Sequence, residues 1–302
     1  MIWHAIAAAQ PQLFLFLGDN VYQSEETAQP GLKELREAYA ALARDQPFAQ
    51  LRAQTPVLAV WDDHDYGLND AGAEFPLKHE SEALFEQVWA IAAQDPRRGR
   101  EGVYHQQRIG PEGRTTQVIL LDTRFFRVPA GDPEQDRAGT MLGDAQWQWL
   151  ASVLRQPARV RVVASSIPVL SRREAGESWH HWPTERERLI QMITSARSDA
   201  VVLISGDSHF GAFYDQSRAG RRPLVELTSS ALNFPLPKRA RESGDFRDPA
   251  RRGAVHFAAN FATIEIDWSR ATLSLGLHAA TGVELERRRV PMAARGMSPT
   301  AG

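Results

Sequence analysis

Three short apolar runs, each closing in a carboxylate, constrain this chain more than any other feature. Leu13-Phe14-Leu15-Phe16-Leu17 leads into Gly18-Asp19-Asn20-Val21-Tyr22, and Pro56-Val57-Leu58-Ala59-Val60-Trp61 leads into Asp62-Asp63-His64-Asp65. Ala200-Val201-Val202-Leu203-Ile204-Ser205 leads into Gly206-Asp207-Ser208-His209. Runs this short do not make a lone buried helix; they suit strands covered on both faces. Gly18 lets the backbone turn sharply straight after the first of them. In open α/β sheets ligands bind beyond the carboxyl ends of the strands, so one site gathering all three clusters is expected. One acidic residue after a strand is commonly just a turn, and it is the recurrence that points to a site. Carboxylate, imidazole and phenol are the hard oxygen and borderline nitrogen donors that suit Zn, Fe, Mn or Ca.

Composition narrows the alternatives. A length of 302 residues with 43% hydrophobic content is enough for one large α/β domain, though length alone allows two. A net charge of −2 gives no nucleic-acid-binding field, and the lack of cysteine removes disulfides and thiolate ligands together. No apolar run approaches the roughly 20 residues of a membrane span, and the first residues do not form a charged region followed by an apolar core.

The remaining pattern alternates helices and strands. Residues 1–9 read as a helix, and residues 31–46 carry Leu32, Leu35, Tyr39 and Leu42 at helical spacing. A glycine-bearing loop at 67–76 contains Asn69 and Asp70, and Leu84, Phe85, Val88, Trp89 and Ile91 mark another helix. Residues 117–121 and 159–164 read as strands, with Asp144 as the expected N-cap of the helix between them. Residues 171–183 read as a substrate-facing lid or a packed loop, followed by a capping box at Thr184 to Glu187 that starts a helix with Leu189, Ile190 and Ile193 inward. Residues 224–227 make a further strand, 238–252 a solvated loop, and 261–267 with 273–277 an antiparallel hairpin. The expected architecture is α/β, a mixed sheet or two facing sheets flanked by helices. It forms one domain over residues 1–290, with 291–302 as a flexible tail.

At this point the motifs resemble a known family. GDNVY, WDDHD and GDSHF, in that order, resemble the second, third and last signature blocks of the calcineurin-like metallophosphoesterases, in the form carried by the alkaline phosphatase D (PhoD-like) branch. Residues 121–127, the Leu142-Gly143…Gln146-Trp147…Trp149-Leu150 segment, Glu177-Ser178-Trp179 and residues 226–230 extend the likeness over residues 3 to 268.

The resemblance implies a two-sheet sandwich with a metal site at the carboxyl ends of its strands. It implies hydrolysis of phosphate monoesters, diesters or both by a metal-activated hydroxide, since paired cations offset the charge that repels a nucleophile. The implied cofactors are two or more metal ions, iron first, with calcium, zinc or manganese as alternatives. Asp19 is the implied bridging ligand and Tyr22 a phenolate ligand that favours ferric iron, with Asp63, Asp207 and His209 completing the set. His64 is left as the general acid, with Asp65 orienting its ring, while Asp62 caps the turn. Arg124 is expected either to grip the phosphate with its planar fork or to form a salt bridge to Asp122.

Relatives place a strand and a first ligand loop before the helix at residues 1–9, and that block has no counterpart here. The start is assigned too late, the chain is a fragment, or the site lacks one ligand. Export to the periplasm or medium is expected if a signal peptide lies upstream, and a cytoplasmic location otherwise. The partner is a phosphate-ester substrate, with no nucleic-acid surface, no membrane span and an open oligomeric state. The competing readings are a degenerate, weakly catalytic metal-binding member and hydrolysis of a different ester. A serine hydrolase is disfavoured because no Gly-x-Ser-x-Gly elbow occurs.

Overall fold

The computed structural model describes residues 2–24, 28–128, 139–218 and 221–293. Its twelve strands are β1 (Phe14–Leu17), β2 (Val57–Val60), β3 (His105–Ile109), β4 (Thr116–Leu120), β5 (Val160–Ser165), β6 (Ala200–Ser205), β7 (Gly211–Arg218), β8 (Arg221–Ser229), β9 (Arg251–His256), β10 (Asn260–Asp267), β11 (Thr272–Ala279) and β12 (Glu284–Pro291). They form three sheets: β1-β2, β10-β11-β12, and a seven-stranded sheet in the order β3-β4-β5-β6-β8-β7-β9. The middle of the large sheet is parallel from β4 through β5 and β6 to β8, and antiparallel strands flank it.

Parallel neighbours need a crossover; helices supply it for β4–β5 and β5–β6, and β7 lies between β6 and β8. Gly143–Leu154 lies between β4 and β5, and Pro183–Ser195 lies between β5 and β6. Because successive side chains leave a strand on opposite faces, β4 feeds two cores. Val118 and Leu120 join Val162, Ile204 and Leu227 in a cluster shared with Phe16, Val60, Leu273 and Leu275 of the small sheets. Ile119 and Leu121 join Val163 and Leu203 beneath Trp147, Leu150, Leu189 and Ile193 of the crossover helices. The layers are therefore helices, the large sheet, and then the two small sheets.

Several local expectations need correction. Gly143, at φ 67°, starts its helix one residue before Asp144, so Asp144 lies in the first turn and is not the N-cap. The capping box at Thr184 does not form. Pro183 opens that helix, and Glu185 instead accepts hydrogen bonds from Trp147 Nε1 (2.8 Å) and the Met141 amide (2.9 Å). The segment before it is a packed loop with no exposed aromatic lid, because Trp179 and Trp182 are buried. Residues 238–252 contain the helix Lys238–Ser243 and the start of β9. The fold continues past residue 290: Pro291 ends β12 and Met292 is buried in the core, while residues 294–302 lie outside those described. Finally β1, expected to be covered on both faces, has only Phe16 buried, since β2 is its one hydrogen-bonded neighbour among the described residues.

Candidate metal centre

The loops after β1 and β2 are pinned together by backbone geometry. Gly18 sits at φ 105°, and any side chain there would run into Asp62 and the Trp61 carbonyl carbon, so the first loop folds directly onto the second. Asp65 locks the arrangement. Its Oδ1 accepts the amides of Asp62 (2.7 Å) and Asp19 (3.1 Å), and its Oδ2 accepts from Asn20 Nδ2 and from Tyr39 Oη (3.1 Å). Asp65 therefore does not orient the His64 ring. In the short helix Asp63–Tyr66 neighbouring side chains diverge by about 100°, which sends Asp65 into the core and leaves His64 half-buried at the pocket.

Asp19, Asp63 and His64 each offer a ligand atom, all within 4.8 Å of one another. Tyr22 completes this group by donating its phenol to Asp19 Oδ2 at 2.9 Å, with its ring 4.7 Å from that of His64. His209 stands one step further out, its ring 6.0 Å from Tyr22. Its Nδ1 lies 2.7 Å from the Phe234 carbonyl. An Nδ1–H donated there leaves the Nε2 lone pair free, the arrangement usual for metal-bound imidazole. Asp207 faces the same pocket, since it and Asp63 both repel the charge on Asp19. Asp207 and His209 do not join the 4.8 Å group among the described residues.

The electrostatics call for a cation. Burial, then Asp63, Asp62, Asp65 and Asp207, hold the Asp19 carboxyl well above its ordinary range. Burial, then Glu177, Asp62 and Asp63, do the same to Asp207. Burial pushes Asp63 upward too, but Arg124, His64 and the Asp70 amide outweigh it and bring Asp63 down to about 2. Asp19 Oδ1 is buried without a hydrogen-bond partner among the described residues. An unpaired buried carboxylate oxygen costs several kcal/mol in an apolar medium unless a cation or donor meets it. Hard oxygens and imidazole around an unsatisfied oxygen thus fit a divalent or trivalent metal.

Half of the backbone strain falls in the same place. Of the eight described non-glycine residues at positive φ, four, Asp19 (φ 48°), Asp70 (57°), Asp207 (66°) and His209 (59°), lie here, while Gln10, Leu32, Ala90 and Ala271 lie elsewhere. Such conformations persist where the surroundings over-determine them, and they concentrate at functional sites.

Arg124 is fully buried, and its guanidinium bonds to Asp62 and Glu177 and approaches Asp63 at 3.8 Å. The alternative salt bridge to Asp122 is absent: Asp122 Oδ1 accepts the Arg124 backbone amide at 2.9 Å, while the side chain turns to the second loop. Asp62 is thus an ion-pair partner as well as the residue preceding the helix. Three residues here, Asp70, Glu177 and Phe234, have no role in the sequence-based ligand set. Asp63, Asp70 and Glu177 form a second group within 4.8 Å, with Glu177 also paired to Arg127 at 2.6 Å. Phe234, 48% exposed, lies 4.9 Å from Tyr22 and forms an apolar wall at the pocket mouth. The left-handed turn at Asp70 carries no special residue pattern, and nothing in the sequence marks Phe234.

Comparison with known proteins shows the family and the fold. A family model described as PhoD-like phosphatase matches residues 1–269. Alkaline phosphatase D of Bacillus subtilis (strain 168) is 26% identical over a match taking in 68% of this chain and 42% of that protein. The chain thus spans less than half the length of this curated relative. A solved structure of PhoD superimposes with a TM-score of 0.70 at 17% identity, covering 98% of this chain and 70% of that one, a likeness of fold.

Proposed function

The chain belongs to the PhoD-like phosphatase family, and from that premise we propose that the pocket between the β1, β2 and β6 loops hydrolyses phosphate esters with bound metal ions. The observation that carries this reading is the meeting of Asp19, Asp63 and His64 within 4.8 Å, with one Asp19 oxygen buried and unpaired. Asp19, Tyr22, Asp63, Asp207 and His209 would hold the metals. When bound, these ions neutralise phosphate charge and lower the pKa of bound water. Burial and the Asp19 carboxylate push the Tyr22 phenol far up, so only a strongly acidic cation makes it a phenolate, which keeps iron ahead of calcium, zinc and manganese.

The protein's own groups do the rest. His64, half-buried and on a rigid helical turn, delivers a proton to the leaving oxygen. Arg124 and Arg127 neutralise Asp62 and Glu177, which keeps Asp63 ionised and fixed. Arg124 is accordingly a positioning residue, with its fork already filled by carboxylates. Phe234 offers an apolar face to the organic part of the ester. One domain spanning the described residues, from the first helix to Met292, holds all these parts.

A degenerate, weakly catalytic member is the second reading, favoured by the position of Asp207 and His209 outside the tight group. Turnover of a phosphomonoester and a phosphodiester by the metal-loaded chain, with Asp63→Asn as control, separates the two. Metal-dependent release lost in Asp63→Asn supports hydrolysis, whereas metal binding with rates equal to the variant supports the degenerate reading.

A further inference from the structure

A short segment outside the three acidic motifs holds two of the proposed ligands. It runs from Asn233 to Pro237, after β8 and before the helix Lys238–Ser243. Its upstream end is fastened to the fold: the Ala231 carbonyl accepts the Asn260 amide at 3.2 Å, and the Ser230 hydroxyl donates to the Phe210 carbonyl at 3.1 Å. The sequence Phe234-Pro235-Leu236-Pro237 stiffens the rest. Each proline fixes its own φ and biases the residue before it toward extended backbone. Neither proline has an amide hydrogen, so between them only Leu236 can donate.

That amide donates to the His209 carbonyl at 3.0 Å. The Phe234 carbonyl, two residues earlier, lies 2.7 Å from His209 Nδ1. His209 is thus held by its main chain and by its ring. Asn233 does the matching task for Asp19. Its Nδ2 donates to the Asp19 carbonyl at 2.9 Å, while the Asp19 amide donates to Asp65 Oδ1 at 3.1 Å, so the peptides on either side of Asp19 are both pinned. Asp19 and His209 sit at φ 48° and 59°, and residues in that region keep their geometry only where the surroundings over-determine it. Without the Asn233 donor the peptide after Asp19 is free to turn, and the aim of the unpaired Asp19 Oδ1 turns with it.

We propose that Asn233 to Pro237 form a preset strap that fixes the Asp19 carboxylate and the His209 imidazole relative to one another, with Asn233 as a positioning residue for Asp19. This role rests on the reading of the pocket as a metal centre. The strap touches no reacting atom; it acts through the two ligands, by holding their geometry before the ion arrives.

The test is titration of the full chain, stripped by chelator, with iron(II) under nitrogen and with manganese(II), beside urea midpoints of the stripped proteins. The parent is compared with Asn233→Leu, which keeps the shape and loses the donor, with Asn233→Gln, which keeps an amide donor, and with Pro235→Gly, which loosens the strap. Asn233→Leu is expected to weaken metal affinity by about 10- to 100-fold, the range for losing a group that orients a ligand, at the midpoint of the stripped parent. Asn233→Gln is expected to recover most of the loss, and Pro235→Gly to weaken affinity in the same direction. A parent that binds metal and an Asn233→Leu variant that binds it as tightly would overturn the strap and leave the metal centre standing. So would a weaker affinity that Asn233→Gln does not recover, which is not the loss of a donor, or one matched by a fall in the stripped midpoint, which is a contact serving only the fold. Where Asn233→Leu fails to fold, Pro235→Gly decides, and parental affinity in that variant overturns the strap. A parent that takes up neither metal overturns the metal centre and the strap together.

Discussion

His64 and Arg124 flank Asp63 in opposite circumstances, one half-buried at the pocket and the other wholly enclosed. Replacing His64 with alanine is expected to lower turnover by about 10²–10⁴-fold, the range for losing a general acid, while metal content stays near that of the parent. Equal loss of metal in His64→Ala and Asp63→Asn would make His64 a ligand instead, a role its place in the 4.8 Å group permits. Arg124→Met is expected to act first on stability. Removing one partner of a buried ion pair leaves uncompensated charge and costs about 3–5 kcal/mol, here on Asp62 and Glu177. A variant that folds with an unchanged denaturation midpoint but binds phosphate poorly would return Arg124 to the substrate. Residue chemistry was legible where the motif itself held the donor, as with Asp19 and Asp63. It was not legible where tertiary contact decides, as with Asp65, whose neighbours in the chain gave no sign that four donors converge on it.

Elements show the same division. The helix Lys78–Val88 meets the loop at Gly102 through Glu82, whose Oε1 accepts the Gly102 amide at 2.6 Å. Burial, then the repulsion of Asp122, Glu86 and Glu101, outweighs that hydrogen bond and raises Glu82 to about 7 from 4.5, with His79 3.7 Å away. A carboxyl raised on folding binds its proton more tightly in the folded state. Its contribution to stability is thus present in full below about pH 4.5 and is lost as pH rises through about 7. Glu82→Gln should flatten this slope, so that the variant gains on the parent between pH 5 and pH 8 in urea midpoints. A parallel pH dependence in both proteins would contradict the assignment. β4, β5 and β6 were readable because two-sided burial writes a continuous apolar run, and β1 and β2 carry such a run although only Phe16, Ala59 and Val60 in them are buried. β3, β9 and β12 were not, since Gln107, Arg252 and Arg288 are ordinary at sheet edges and on open faces but spoil any alternation. The polar charge of 238–252 likewise hid a helix and a strand whose partner, β7, is supplied by the fold.

For the whole molecule, the layers bring residues nearly 200 positions apart onto one rim, and the rim is acidic enough to burden the metal-free fold. Among the described residues no helix is long and apolar enough to cross a membrane. Metal bound only to the folded state stabilises it by about 2.7 kcal/mol at one hundred times its dissociation constant. Chelation should therefore lower the melting temperature, and re-addition of metal should restore it. The most direct test is the metal content of the chain by elemental mass spectrometry after loading with iron, zinc, manganese or calcium, beside Asp19→Asn and Asp63→Asn. The expected result is stoichiometric metal in the parent and loss in both variants, with melting temperatures that no longer respond to chelator. A parent chain that takes up none of the four metals, or variants that hold as much as the parent, would contradict the assignment of this pocket as a metal centre.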